Sequence, residues 1–237
     1  MILLRHDVDT IWGLRKGVPI VSRLEDRFDV RSTFFVRARV PKSESDWRML
    51  LELQGSGWEI GLHLDNTDGR ESLPPPEWEL SVLREHGLVV NGVTPHGAVI
   101  GWNNPPVNWL VMDRLGLRYM EGYGDPPSTV KTLVINTHLS LDLHYIKRYG
   151  VEKGYRFFKS DLERRLNVDG YASVLTHPEW FVRSVGVQGS GVYAKAAKLA
   201  MTLLGLRKLT RVYELFLSEY SSFCMRYIDW VMKHAQS

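Results

Sequence analysis

The sequence predicts an α/β fold, a parallel sheet or barrel with extra helices at its C-terminal end. Two observations carry this. Strand-like and helix-like segments alternate through most of the 237 residues, the pattern of βαβ units. Several of the strand-like segments also end in histidine or aspartate, as strands do when their C-terminal ends open onto a crevice.

Ile2–Arg5 reads as the first strand and Gly17–Arg27 as a helix. "STFFVRA" (Ser32–Ala38) is β-branched and aromatic and reads as the second strand. Ser43 caps a helix running to Leu53, with Asp46 at the third position and Trp47, Leu50 and Leu51 on one face. "GWEIGLH" (Gly57–His63) is the third strand. Pro74–Pro76 open a helix that ends near His86 and Gly87. "LVVNGVTPHG" holds the fourth strand, and Pro105–Leu115 reads as a helix with Gly116 as its C-cap. "LRYMEG", "TLVIN" and "YASVLTH" complete a set of seven strands, with a helix over Tyr155–Leu166 before the last. Beyond "VGVQGSGVY", Ala194–Leu204 and Leu209–His234 read as helices. Leu215, Phe216, Tyr220, Phe223, Tyr227, Trp230 and Val231 form an apolar face on the second. That face suits packing on the main body, a homodimer contact or a membrane surface. The expected organisation is one barrel domain over 1–185 and a helical extension over 186–237 packed on it.

Composition narrows the function classes. Hydrophobic residues make up 44% and charged residues 24%, as in a globular protein. The net charge of +3 gives no argument for a nucleic-acid partner. Cys224 is the single cysteine, so an intrachain disulfide and a cysteine-based zinc site are excluded. "MILL" meets Arg5 too soon for a signal peptide, and no apolar run is long enough to span a membrane. A cytoplasmic location is therefore expected.

Four strand ends carry the residues of interest. The first has His6-Asp7-Val8-Asp9, the third His63-Leu64-Asp65, the fourth Pro95-His96-Gly97 and the last Thr176-His177-Pro178. In a parallel sheet these ends share one side of the molecule. Alternation places Asp7 and Asp9 on one face and His6, a secondary candidate, on the other. Imidazole with carboxylate suits a divalent transition metal, which lowers the pKa of bound water and polarises a carbonyl. Trp102 and Trp180, in loops beside His96 and His177, are the candidates for contact with a substrate.

"LRHDVD", "STFFV", "WEIGLHLD" and "LTHPEW" together resemble the motifs of the polysaccharide deacetylases, the NodB-homology family, over about Ile2 to Trp180. The resemblance implies a distorted (β/α) barrel of about seven parallel strands. It also implies a metal-dependent hydrolase that removes an acyl group, most often acetyl, from an N-acetylated sugar or glycan precursor. Some relatives cut other C–N bonds, and an inactive carbohydrate-binding relative is the alternative. By the same resemblance Asp7 is the base, Asp9 and His63 are metal ligands, and His177 protonates the leaving amine. The family's second metal histidine falls at Thr67 here. His96 is the first candidate to replace it and Asp65 the second. The family's Arg that orients the base has no counterpart in "VTPHGAV". The implied cofactor is one divalent ion, zinc first, with cobalt, nickel, iron or manganese open. The implied partner is a carbohydrate or small N-acylated substrate.

Overall fold

In the computed structural model the described residues are 1–97, 102–183 and 209–234, with 192, 196 and 200. Eight parallel strands form one curled sheet: β1 (Ile2–Val8), β2 (Thr33–Val36), β3 (Glu59–Leu64), β4 (Val90–Pro95), β5 (Tyr119–Gly122), β6 (Leu133–Asn136), β7 (Leu139–Ser140) and β8 (Ala172–Thr176). Their order is β6-β5-β4-β3-β2-β1-β8-β7. The edge strands β6 and β7 are consecutive in the chain, with only Thr137 and His138 between them. So short a link spans at most about 11 Å, so the two edges must approach each other. The sheet is thus a half-barrel with a seam between β6 and β7.

Helices α1 (Val18–Arg27), α2 (Glu44–Gly55), α3 (Pro76–Glu85), α4 (Pro105–Asp113) and α5 (Val151–Asp169) link the strands. α2 starts on the capping box expected from the sequence, with Ser43 and Asp46 bonded reciprocally. After β8 come α6 (Glu179–Val182), α7 (Leu209–Tyr220) and α8 (Tyr227–His234). No helix among the described residues is long and apolar enough to cross a membrane.

Alternation along the strands makes two cores. Ile2, Leu4, Val8, Phe34, Val36, Ile60, Leu62 and Leu64 face outward and pack under the helices. Leu3, Phe35, Tyr119 and Ile135 face inward, where Tyr227, Trp230 and Val231 of α8 join them. Gly61 and Gly92 leave room for the large inner rings. A Cβ at Gly61 would lie 2.4 Å from the Phe35 ring, and one at Gly92 would lie 2.0 Å from Tyr119.

The seven strands read from the sequence are all present, and two short ones join them. Leu139–Ser140 and Cys224–Met225 (β9) are two residues each, too short to show a period. β9 also corrects the expected helix over Leu209–His234. Its residues pair with Ile2 and Leu3 of β1, so the chain leaves α7 through a 3₁₀ turn at Ser221–Phe223 and restarts as α8. β2 pairs with β1 only from Arg5 onward, so β9 takes the edge left at Ile2 and Leu3, and Cys224 lies in a strand rather than among helical aromatics. Of the expected apolar face, Phe216, Tyr220, Tyr227, Trp230 and Val231 are buried within this chain, whereas Leu215 and Phe223 are exposed. The expected helix over Ala194–Leu204, apart from 196 and 200, and the boundary at 185/186 lie outside the described residues.

One buried carboxylate ties the outer layer together. Glu25 of α1 accepts from His6 Nε2 at 2.8 Å, Ser32 Oγ at 2.7 Å, Trp58 Nε1 at 2.6 Å and Tyr213 Oη at 2.6 Å. It thereby joins α1 to β1, to α7 and to the segments entering β2 and β3. Glu25→Ala would strand four buried donors, and an unsatisfied buried donor costs about 1–3 kcal/mol. The expected loss is at least about 3 kcal/mol, read as a lower urea midpoint at unchanged slope. Ser32→Ala, which removes one donor only, should cost about 1 kcal/mol in the same assay.

Candidate active site

β1 delivers two acidic side chains to the C-terminal mouth of the half-barrel. Asp7 lies on its inner face, and Asp9 follows just beyond its end. β3 brings His63, β4 leads to His96, and β8 leads to His177. The structure places Asp7, Asp9, His63, His96 and His177 around one cavity of about 330 Å³, also lined by Tyr123, Leu143 and His144.

Asp9, His63 and His96 converge. Asp9 Oδ1 lies 3.1 Å from His63 Nε2 and 3.1 Å from His96 Nδ1, and the two ring nitrogens are 3.2 Å apart. Donors about 2.0–2.2 Å from a zinc-sized ion are spaced by about 3.0–3.5 Å, which this triangle matches. Asp9 Oδ1 is buried and receives no well-directed hydrogen bond, as expected of an atom aimed at an ion. His63 Nδ1 lies 2.8 Å from Thr94 Oγ1. Donation there fixes the tautomer and leaves Nε2 free to bind, the outer-shell arrangement of metal histidines. One carboxylate and two imidazoles thus fit a divalent transition metal. The cluster assembles without Thr67, which is buried and whose carbonyl accepts from Asn108 Nδ2.

Asp7 stands beside this triangle, its Oδ2 3.5 Å from His63 Nε2. Arg5, two residues earlier on the same face of β1, grips both its oxygens: Nε to Oδ1 at 2.7 Å and Nη2 to Oδ2 at 2.6 Å. Burial works against the Asp7 carboxylate, but the guanidinium outweighs it and lowers the pKa. Arg5 is itself 1% exposed and pairs at 3.0 Å with the buried Glu121 of β5.

His177 faces Asp7 and Asp9 from the far side, its Nε2 3.8 Å from Asp9 Oδ2. Its Nδ1 donates to Asp142 Oδ2 at 2.9 Å, and its backbone N–H donates to the same oxygen at 2.6 Å. Ser140 Oγ and the Leu143 N–H both donate to Asp142 Oδ1. Burial would lower the imidazolium, but Asp142 with Asp9 and Asp7 pushes it up to about 10. Asp142 sits on a π-helical turn at Leu141–Ile146, and a second such turn, Gly13–Gly17, follows Asp9. π-turns gather at functional sites because they re-aim side chains. Gly17 lets the second turn press on the His177 loop: a Cβ there would lie 2.1 Å from the Pro178 carbonyl oxygen. Glu179, next along, buries an unpartnered Oε2. Burial, with the charge of Asp9 adding, raises its carboxyl to about 7.

Three of these residues escaped the sequence reading. Arg5 was visible as a residue two before Asp7 and hence on its face. Asp142 and Glu179 carried no comparable signal. Other candidates go elsewhere. His6 faces the helices, held by Thr176 and Glu25. Asp65 is held by Arg37 at 2.7 Å and is not part of the triangle. Trp102 packs edge-on against Trp109 and donates from Nε1 to the Tyr123 carbonyl. Trp180 packs against the outer core, and neither tryptophan lines the cavity.

No protein-family model matches the chain, and no curated protein is significantly similar to it. Solved structures do match. Puue allantoinase aligns with 98% of this chain and 88% of its own at a TM-score of 0.60 and 16% identity. The Xyl-CE4 domain of a multidomain xylanase from the hindgut metagenome of Trinervitermes trinervoides aligns with 99% and 90% at 0.53 and 13%. BA3943, a CE4-family pseudoenzyme from Bacillus anthracis, aligns with 98% of this chain but 65% of its own, at 0.55 and 13%. At such identities the likeness bears on the fold alone. The chain has the NodB-like (β/α) half-barrel, the fold that its sequence motifs imply.

Proposed function

We propose that this protein is a metal-dependent hydrolase that removes an acyl group, acetyl first, from an N-acylated sugar or glycan precursor. A cytoplasmic site of action is part of the proposal and favours precursors over a finished wall polymer. The observation that carries it is a carboxylate and a cationic imidazole on opposite flanks of one metal-fitting triangle. A divalent ion held by Asp9, His63 and His96, zinc first, would supply Lewis acidity toward the acyl oxygen and acidify water.

The chain's own residues do the proton work. Asp7, kept ionised by Arg5, takes a proton from the attacking water as its oxygen bonds to the acyl carbon. His177, kept cationic by Asp142, gives the Nε2 proton to the nitrogen as the C–N bond breaks. The products are a free carboxylic acid and an amine. Arg5 holds Asp7 bidentately, so the base meets the water in a fixed orientation. A specific observation favours one other reading, a carbohydrate-binding relative without catalysis: Thr67 stands where the family's second metal histidine would be.

Purified protein loaded with zinc should release acetate from N-acetylated sugars. It should hold close to one ion per chain by elemental analysis. His96→Ala should lose most of that ion, and full retention would put the third ligand elsewhere. A protein that takes up no ion and releases no acetate, yet binds the sugars, would establish the binding-protein reading.

Asp7→Asn and His177→Ala should each cut turnover by about 10²–10⁴ while the metal content stays unchanged. Loss of the ion together with activity would move either residue into the ligand set.

The profile of kcat/KM against pH should be bell-shaped, rising as Asp7 ionises and falling as His177 deprotonates. Asp142→Asn keeps the hydrogen bond but removes the charge that raises His177. The basic limb should therefore move to lower pH while the acidic limb stays. An unmoved basic limb would take His177 out of the acid role.

A further inference from the structure

We propose that an arginine-lined hollow beside His96 binds an anionic group of the substrate, a carboxylate or phosphoryl group carried near the scissile N-acyl bond. The proposal rests on the hydrolase reading and names the substrate class for it. The hollow measures about 270 Å³ and is lined by Arg37, Arg39, Asp65, Arg70 and Leu73, with His96 and Gly97. His96 and Gly97 also line the main cavity, so the two spaces adjoin at His96, one corner of the metal-fitting triangle.

Three strands in succession supply the hollow from their C-terminal ends. Arg37 and Arg39 follow β2, Asp65 and Arg70 follow β3, and His96 follows β4. The three guanidiniums differ in their pairing. Arg37 is fixed by a two-point bond to Asp65 and by donation to the Asp9 carbonyl. Arg70 is held by Asp68 at 2.7 Å. Arg39 is exposed and has no ion pair within 4.0 Å among the described residues. With Arg37 paired to Asp65 and Arg70 to Asp68, Arg39 is the guanidinium that leaves the hollow positive. Arg37 is already rigid, and Arg39 makes no side-chain hydrogen bond among the described residues, its charge acting on the nearby Glu79 carboxyl.

A guanidinium fork matches the paired oxygens of a carboxylate or a phosphoryl group. A neutral sugar gives such a fork only hydroxyls. An N-acylated ligand that crosses His96 would place its amide over the triangle and its anionic group among the arginines. This preference comes from the loops after β2 and β3, not from the proton-transfer residues.

The test uses zinc-loaded protein, with Asp7→Asn in the binding arm to prevent turnover. The probes are N-acetylglucosamine, its 6-phosphate and N-acetylmuramic acid. Calorimetry should show at least one anionic sugar binding about tenfold or more tightly than the neutral one, the scale of one charge-assisted hydrogen bond. Arg39→Gln, or Arg70→Gln beside it, should erase most of that preference, and added salt should weaken it. Which anionic sugar responds tells carboxylate from phosphoryl. Equal affinities, no detectable binding of either anionic sugar, or a preference untouched in both variants would overturn the subsite. Acetate release separates this result from the hydrolase reading. No release from any probe, with an Arg39-dependent preference retained, sinks the hydrolase but not the subsite. Release at equal kcat/KM from all three, unchanged in Arg39→Gln, sinks the subsite alone.

Discussion

Arg5 is the residue on which the interior depends. Its guanidinium is almost wholly buried, and a buried charge is tolerated only when it is paired and hydrogen-bonded. Asp7 takes one side of it and Glu121 the other, while Thr137 accepts from Nη1 at 3.3 Å. Glu121 in turn accepts from Ser173 Oγ at 2.7 Å, and Tyr227 Oη lies 2.8 Å from that hydroxyl. The chain of contacts runs from the mouth of the half-barrel, through its middle, to the helix that closes its base. The proposed base is therefore held by a network that crosses the whole interior. The sequence resemblance implies an orienting arginine in another motif. Here β1 itself supplies an arginine two residues ahead of Asp7.

The same strand carries a second network on its other face. His6 turns outward to Glu25, which also receives Ser32, Trp58 and Tyr213. One seven-residue strand thus separates two polar systems by alternation alone. The inner one, Arg5 and Asp7, serves the site. The outer one fixes α1 and α7 against the sheet. A slip of one residue in the register of β1 would exchange them. The parallel pairing with β2 and β8, along with the short addition of β9, holds that register.

The two flanks of the site are built differently. On one flank His177 is oriented by Asp142 on a π-helical turn, and Gly17 allows close backbone contact behind it. This packing fixes the proposed proton donor within a narrow range of positions. On the other flank the loops after β2 and β3 carry long basic side chains, of which Arg39 is exposed. Rigid support lies where the proposed proton transfer takes place, and adaptable charge lies where the proposed substituent is recognised.

By itself the sequence determined the alternation of seven strands with their helices, the side of the sheet on which the polar ends gather, and the inward turn of Asp7 against the outward turn of His6. These follow from local periods of two and 3.6 residues, which need no knowledge of distant contacts. It also marked Asp9, His63 and His96 as residues able to meet, since each lies at or just past a strand end. Tertiary structure alone decided the rest. That Arg5 grips Asp7 could be read as a shared face, but its burial depends on Glu121, 116 residues later. Asp142 reaches His177 from 35 residues away, and no local pattern encodes such a distance. β9 interrupts an apolar helical repeat because β2 leaves the edge of β1 open at Ile2 and Leu3. Short-range periodicity fixes which face a side chain takes. Only the folded chain fixes which partner waits there.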